Sequence, residues 1–175
     1  PVKFWNDDGD KKYKSSYFEK YKNVWHHGDF AKITDNGGFI IFGRSDTTLN
    51  PGGVRLGTTE IYSVVEKFEE IQESIVIGQS WNNDIRIILF VVLNKGYNLT
   101  DEIKDKIKKA IKVSASPRHV PSKIIPILEI PKTKNGKLVE LAVKQSVAGE
   151  AIKNLEALAN PDSLKQFKNI KELNE

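Results

Sequence analysis

Nine residues, Ile85-Arg86-Ile87-Ile88-Leu89-Phe90-Val91-Val92-Leu93, constrain this chain more than any others. Apart from Arg86 they are apolar, with no alternation of wet and dry positions. A strand of that kind needs cover on both faces. It is also too short to cross a membrane as a helix, which takes about 20 apolar residues. Any fold for this chain must therefore pack something on each side of it.

The neighbouring segments supply candidates. Ser74 to Gln79 reads as another strand, separated from the first by Trp81-Asn82-Asn83-Asp84. Upstream, Ile61, Val64, Val65 and Phe68 recur as one face of a helix, with Thr58 or Thr59 as its cap. Downstream, Thr100 caps a second helix with Asp101 and Glu102 in its first turn and Ile103, Ile107, Ala110 and Ile111 on its apolar face. Lys123 to Ile130 reads as a third strand. Pro126 cannot donate a ladder hydrogen bond and puts that strand at an edge. Asn135-Gly136 makes a tight turn before Lys137, and a third helix runs from about Leu138 to Val147. The order is helix, strand, strand, helix, strand, helix: a small α+β domain of roughly 90 to 100 residues with a three-stranded sheet and packed helices.

Before this domain, Phe30 to Ile33 and Phe39 to Phe42 flank an Asn-Gly turn, a hairpin signal. Ser16 with Glu19 matches a capping box, predicting a short helix over 16–21. The hairpin has too little apolar content to stand alone. After the domain, 148–159 is weakly helical in pattern, and Asn160-Pro161 opens a terminal helix through about Leu173.

Between hairpin and first domain helix lies Gly43-Arg44-Ser45-Asp46-Thr47-Thr48-Leu49-Asn50-Pro51-Gly52-Gly53-Val54-Arg55-Leu56-Gly57. Its two arginines are planar forks suited to phosphate or carboxylate. Its glycines permit close backbone approach. Such a loop holds an anion, hinges two domains, does both, or simply connects strand to helix.

Charge adds a second pointer. Between Asp101 and Lys137 ten basic residues face four acids, a net +6 within a chain of formal charge +4. A basic segment attracts phosphorylated ligands or nucleic acid. It lacks the interleaved aromatics that stack bases, which argues against nucleic acid as a partner. With no Cys there is neither disulfide nor thiolate metal site. His26 and His27 are adjacent, rarely face one site, and have no further ligand cluster nearby, so no metal site is expected. His119 reads as structural or surface. No membrane segment or secretory signal is apparent, and a cytoplasmic location is the expectation.

Four motifs stand in order: WHHGD (Trp25 to Asp29), GRSD (Gly43 to Asp46), GGVRLGTTEI (Gly52 to Ile61) and PKTKNGK (Pro131 to Lys137). Together they resemble the C-terminal part of the adenylate-forming acyl-CoA synthetases. The likeness runs from about residue 1 to about 160, and SPRHVP (Ser116 to Pro121) adds to it. Trp25 and His27 depart from the wider family, where Tyr and Thr are common, as does Gly52, where Ser is common.

The resemblance implies an ATP-dependent acid–CoA ligase. Its full form makes an acyl-adenylate from ATP with Mg²⁺ and a short acid, rotates its C-terminal domain, and passes the acyl group to CoA. Acetoacetate is the expected acid, with acetate or propionate as alternatives. A stand-alone basic module for RNA or phosphates is the alternative from another class. Residues 1–45 are then the end of a large N-terminal adenylation domain, 46–160 a mobile C-terminal domain, and 161–175 a helical extension. The Ser/Thr/Gly-rich phosphate loop, most of the ATP–Mg²⁺ site and the acyl pocket are expected in a larger N-terminal part acting in cis. This piece alone is expected to be inactive.

Residue by residue, Asp29 matches the aspartate that binds both ribose hydroxyls and Arg44 a second ribose contact. Arg55 matches an arginine near the nucleotide phosphate, with Asn50 a polar contact in the same loop. Asp46 matches the hinge. Lys137 matches the catalytic lysine, a positive charge for the carboxylate and α-phosphate. Gly52 and Gly53 match the loop lining the pantetheine tunnel, and Arg118 is the candidate for CoA phosphates.

Overall fold

The computed structural model describes residues 2–152 and 154–175. Its centre is an antiparallel hairpin of β3 (Ile71–Trp81) and β4 (Asp84–Leu93), with β5 (Lys123–Pro126) parallel to β4 in the order β3-β4-β5. Asn82 and Asn83 form the two-residue turn with φ of 49° and 61°, the left-handed pair that matches strand twist.

The apolar run of β4 is explained by what covers it. Ile87, Leu89 and Val91 point to one core with α2 (Thr58–Val65) and α3 (Asp101–Ser114). Ile88, Phe90 and Val92 point to a second core with Val143 of α4 (Glu140–Ala148), Leu164, Phe167 and Leu173. Period-two alternation thus gives each face of the strand its own apolar layer. Helix, strand, strand, helix, strand, helix from residue 58 is the order found. Pro126 ends β5 at the sheet edge, as its missing N–H requires.

The hairpin of β1 (Asp29–Ile33) and β2 (Phe39–Arg44) forms a separate two-stranded sheet. Ile33, Phe39, Ile40 and Ile41 are exposed on it.

Several expectations need correction. The first helix is α1 (Lys11–Tyr17), not 16–21. Asp7 caps it from outside: its carboxylate accepts from the N–H groups of Lys12 and Tyr13, both at 2.8 Å. Ser16 lies inside the helix and donates to the Lys12 carbonyl at 2.8 Å. The cap of α2 is Gly57, not Thr58 or Thr59. Its N–H donates to Glu60 at 3.3 Å, and a Cβ there would lie 2.6 Å from the Phe42 carbonyl oxygen, so only glycine lets the helix start against β2. The third strand stops at Pro126 rather than Ile130.

Helix α4 ends at Ala148, because Gly149 turns left-handed at φ 70°. The described residues of 150–159 hold no α-helix but a 3-10 turn at Leu155–Ala157 and a bridge from Leu158 to Thr133. The terminal α-helix is instead two 3-10 stretches, Pro161–Phe167 and Lys171–Asn174. Leu164, Phe167, Ile170 and Leu173 recur every third residue, the repeat of a 3-10 helix, and all pack on the second core.

Candidate functional site

The strand pairing places Asp29 opposite Arg44, at the end of the hairpin nearest the connecting loop. The Arg44 guanidinium lies 4.0 Å from the Asp29 carboxylate and 3.4 Å from that of Asp46, and donates to the His27 carbonyl at 3.2 Å. His27 also pairs through its ring with Asp29. His26 packs edge-on against Tyr21 instead, at 5.7 Å, so the two histidines turn to different partners. Gly28 makes room for this: at φ 92°, a Cβ there would meet the Arg44 guanidinium nitrogens at 2.9 Å. Asp29, Arg44 and Asp46 are all partly open to solvent, so an incoming polar ligand can replace these surface pairs at small cost.

A cavity of about 670 Å³ opens beside them, lined by Tyr17, Trp25, His26, His27, Arg44 and Asp46 among others. Tyr17 and Trp25 stack at 4.1 Å with an interplanar angle of 15° along this wall. Tyr17 was not singled out by the sequence; the only signal for it is the WHHGD motif it stacks against.

The loop beyond Asp46 is closed by Leu49 and Leu56, which exchange backbone hydrogen bonds at 3.1 and 2.8 Å and are both buried. Asn50, Gly52, Gly53 and Arg55 are exposed on it. Gly52 and Gly53 both take positive φ, 57° and 76°. The Asp84 carboxylate fixes the tip by accepting from Gly52 N–H at 2.8 and 3.1 Å. Hydrogen bonds from the N–H groups of Ile85 and Gly52 hold the Asp84 carboxyl below the usual value. A Cβ on Gly52 would stand 4.0 Å from an Arg118 guanidinium nitrogen, so the structure brings the glycine pair and Arg118 together.

Arg118 stands on the turn Ser116 to Pro121, and this turn is anchored from within. His119 is buried, with Nε2 2.9 Å from Glu60 and Nδ1 2.8 Å from the Ser116 hydroxyl.

Lys137 follows the left-handed Gly136 (φ 75°) at the end of a tight turn. Its N–H donates to Thr133 Oγ1 at 3.0 Å and its carbonyl accepts from Thr133 N–H at 2.9 Å. The side chain is exposed and, among the described residues, makes no ion pair. A second cavity of about 420 Å³ is lined by Arg44, Asp46 and Thr47 on one side and by Thr133, Leu138 and Glu140 on the other. The lysine turn thus stands across a cleft from the Asp46 segment, while the glycine pair and Arg118 form a separate cluster. Among the described residues, no group of three or more His, Cys, Asp or Glu side chains is placed to hold a metal ion. None of the described helices is long and apolar enough to cross a membrane.

Residues 60–137 match the AMP-binding enzyme C-terminal domain. The acetoacetyl-coenzyme A synthetase of Rhizobium meliloti is 54% identical over 173 residues, covering 99% of this chain and 27% of that protein. The acetoacetyl-CoA synthetase of Gallus gallus is 46% identical over 176 residues, with 99% and 26% covered. The solved acetoacetyl-CoA synthetase of Streptomyces lividans superposes with a TM-score of 0.89 at 39% identity, covering all of this chain and 27% of that one. The chain therefore spans about a quarter of the length of the relatives it matches. On these grounds residues 60–137 carry an AMP-binding enzyme C-terminal domain, and the chain is similar along its length to the C-terminal part of acetoacetyl-CoA synthetases.

Proposed function

We propose that this chain is the C-terminal portion of an acid–CoA ligase that converts acetoacetate, ATP and CoA to acetoacetyl-CoA, AMP and pyrophosphate. The observation that carries the reading is the identity of 54% along 99% of the chain to an acetoacetyl-coenzyme A synthetase. Residues 1–45 complete a large N-terminal adenylation domain acting in cis, 46–160 move as the C-terminal domain, and 161–175 extend it. The cytoplasm is the proposed location.

In the first half-reaction a carboxylate oxygen of the acid attacks the ATP α-phosphorus. The α–β anhydride bond breaks and pyrophosphate leaves. Lys137 places an ammonium where the two anions meet and lowers their repulsion as charge redistributes. Asp29, acceptor-only when ionised, takes the ribose hydroxyl protons, with Arg44 beside it. Arg55 and Asn50 face the nucleotide from the loop. ATP arrives with Mg²⁺, which screens its phosphates. The residues that would hold the ion are assigned to the N-terminal portion.

Rotation about Asp46 then exchanges one face of the domain for the other, the few-residue hinge such closures use. Gly52 and Gly53 leave room for the pantetheine arm, and Arg118 meets CoA phosphate. The CoA sulfur attacks the acyl carbon, and the bond to AMP breaks. The close approach of Arg118 to Gly52 supports this side of the assignment.

The test is AMP release by the full-length protein with ATP, Mg²⁺, CoA and a panel of acids. Acetoacetate should give the highest kcat/KM, and the 175-residue chain alone should give none. Preference for acetate or propionate would move the substrate assignment within the family. Binding of RNA, with no acid-dependent AMP release, would overturn the reading.

A further inference from the structure

The turn that carries Lys137 is tied at both ends to one strand. On its N-terminal side, Lys132 Nζ pairs with Glu73 of β3, both side chains about one-third exposed (34% and 33%). On its C-terminal side, Glu140 opens α4 and accepts from the Tyr62 hydroxyl at 2.6 Å. That hydroxyl in turn accepts from Val76 N–H of β3 at 3.1 Å. Because β3 is an edge strand that pairs, among the described residues, with β4 alone, Val76 N–H lies on an open sheet edge, and Tyr62 fills that place in the ladder. Lys132 and Leu138 face each other as an antiparallel bridge, so both feet of the turn lie side by side.

Two consequences follow from these contacts. The backbone of 132–140 has anchors on either side of the lysine, neither of which touches Lys137 itself. In addition, Lys132 is engaged by a carboxylate, which among the described residues leaves Lys134 at the tip and Lys137 at the end of the turn as its cations without an ion pair. Preorganised charge acts without reorganisation at the moment of reaction, and that requires a supported backbone.

We propose that Glu73 and the Tyr62–Glu140 pair are positioning residues that set where the Lys137 ammonium stands during adenylation. The proposal rests on the reading of Lys137 given above. A purely stabilising role for the same contacts makes a different prediction, because it would affect both half-reactions alike.

The experiment uses the full-length protein with Tyr62→Phe, Glu73→Gln and the two combined, beside Lys137→Ala and Glu140→Gln. Acid-dependent ATP–pyrophosphate exchange reads adenylation. CoA-dependent consumption of supplied acetoacetyl-adenylate reads the second step. Misplacement by about an ångström costs up to about 100-fold, so the combined variant should lose on the order of that factor in exchange. The second step should stay at the wild-type rate, with KM for ATP and acid little changed. Glu140→Gln still accepts the Tyr62 proton and should retain exchange. Full exchange in the combined variant while Lys137→Ala abolishes it, or equal loss in both half-reactions, would overturn the positioning role and leave the reading of Lys137 standing. Undiminished exchange in Lys137→Ala would overturn both.

Discussion

His119 and Glu60 meet at 2.9 Å, imidazole Nε2 to carboxylate, across 59 positions of sequence. The carboxylate accepts from Nε2–H, while Nδ1 lies 2.8 Å from the Ser116 hydroxyl. Ser116 Oγ accepts from Arg118 N–H at 3.2 Å, and Glu60 accepts from Gly57 N–H at 3.3 Å. One network therefore ties the Arg118 turn to the start of α2 and the end of the glycine loop.

Removing the imidazole empties a buried position and deletes its two hydrogen bonds, to Glu60 and to Ser116. His119→Ala should lower unfolding free energy by about 1–3 kcal/mol, the usual net worth of two hydrogen bonds. Chemical denaturation checks this, with Arg118→Ala, an exposed position, expected to stay near wild type.

Tyr62 predicts an alkaline limit. Burial pushes its hydroxyl well above the usual tyrosine value, and the neighbouring Glu140 charge and hydrogen bond push it further. A pKa raised in the folded state adds stability that is present below the unfolded value, about 10, and is lost as pH rises through the folded one. Stability should therefore fall above about pH 10. Tyr62→Phe should flatten that arm, measured by urea unfolding across pH 8 to 11.

Asp84 is the tether of the glycine loop. Asp84→Ala removes both hydrogen bonds to Gly52 N–H. Amide exchange at Gly52 should accelerate while exchange in β4 is unchanged, as expected of a local opening. In the full-length protein the same change should raise KM for CoA more than KM for ATP.

The parts of this fold that were legible were those written in local period. The unbroken apolar run of β4 implied cover on both faces, and two cores supply it. Thr100 was readable as a cap and accepts from Ile103 N–H at 3.3 Å. At the C-terminal stretch Asn160-Pro161 marks a helix start but not its type; the three-residue repeat from Leu164 to Leu173 is what suits a 3-10 helix. The α1 cap escaped because Asp7 reaches in from five residues away. Of the candidate site, the sequence motifs pointed to Asp29, Arg44, Gly52, Arg118 and Lys137 as candidates. The partners that hold them did not show, since Tyr62 with Glu140 and Glu73 with Lys132 lie 78 and 59 positions apart. No spacing rule reaches across such intervals.

The most direct test is the Lys137→Ala variant of the full-length protein, assayed for the two half-reactions separately. The account predicts that acid-dependent ATP–pyrophosphate exchange is lost by two orders of magnitude or more, in the range of about 10²–10³ for removing one charge-stabilising group. It also predicts that acetoacetyl-adenylate is still converted to the thioester at the wild-type rate. Equal loss in both steps, or no loss of exchange, would contradict it.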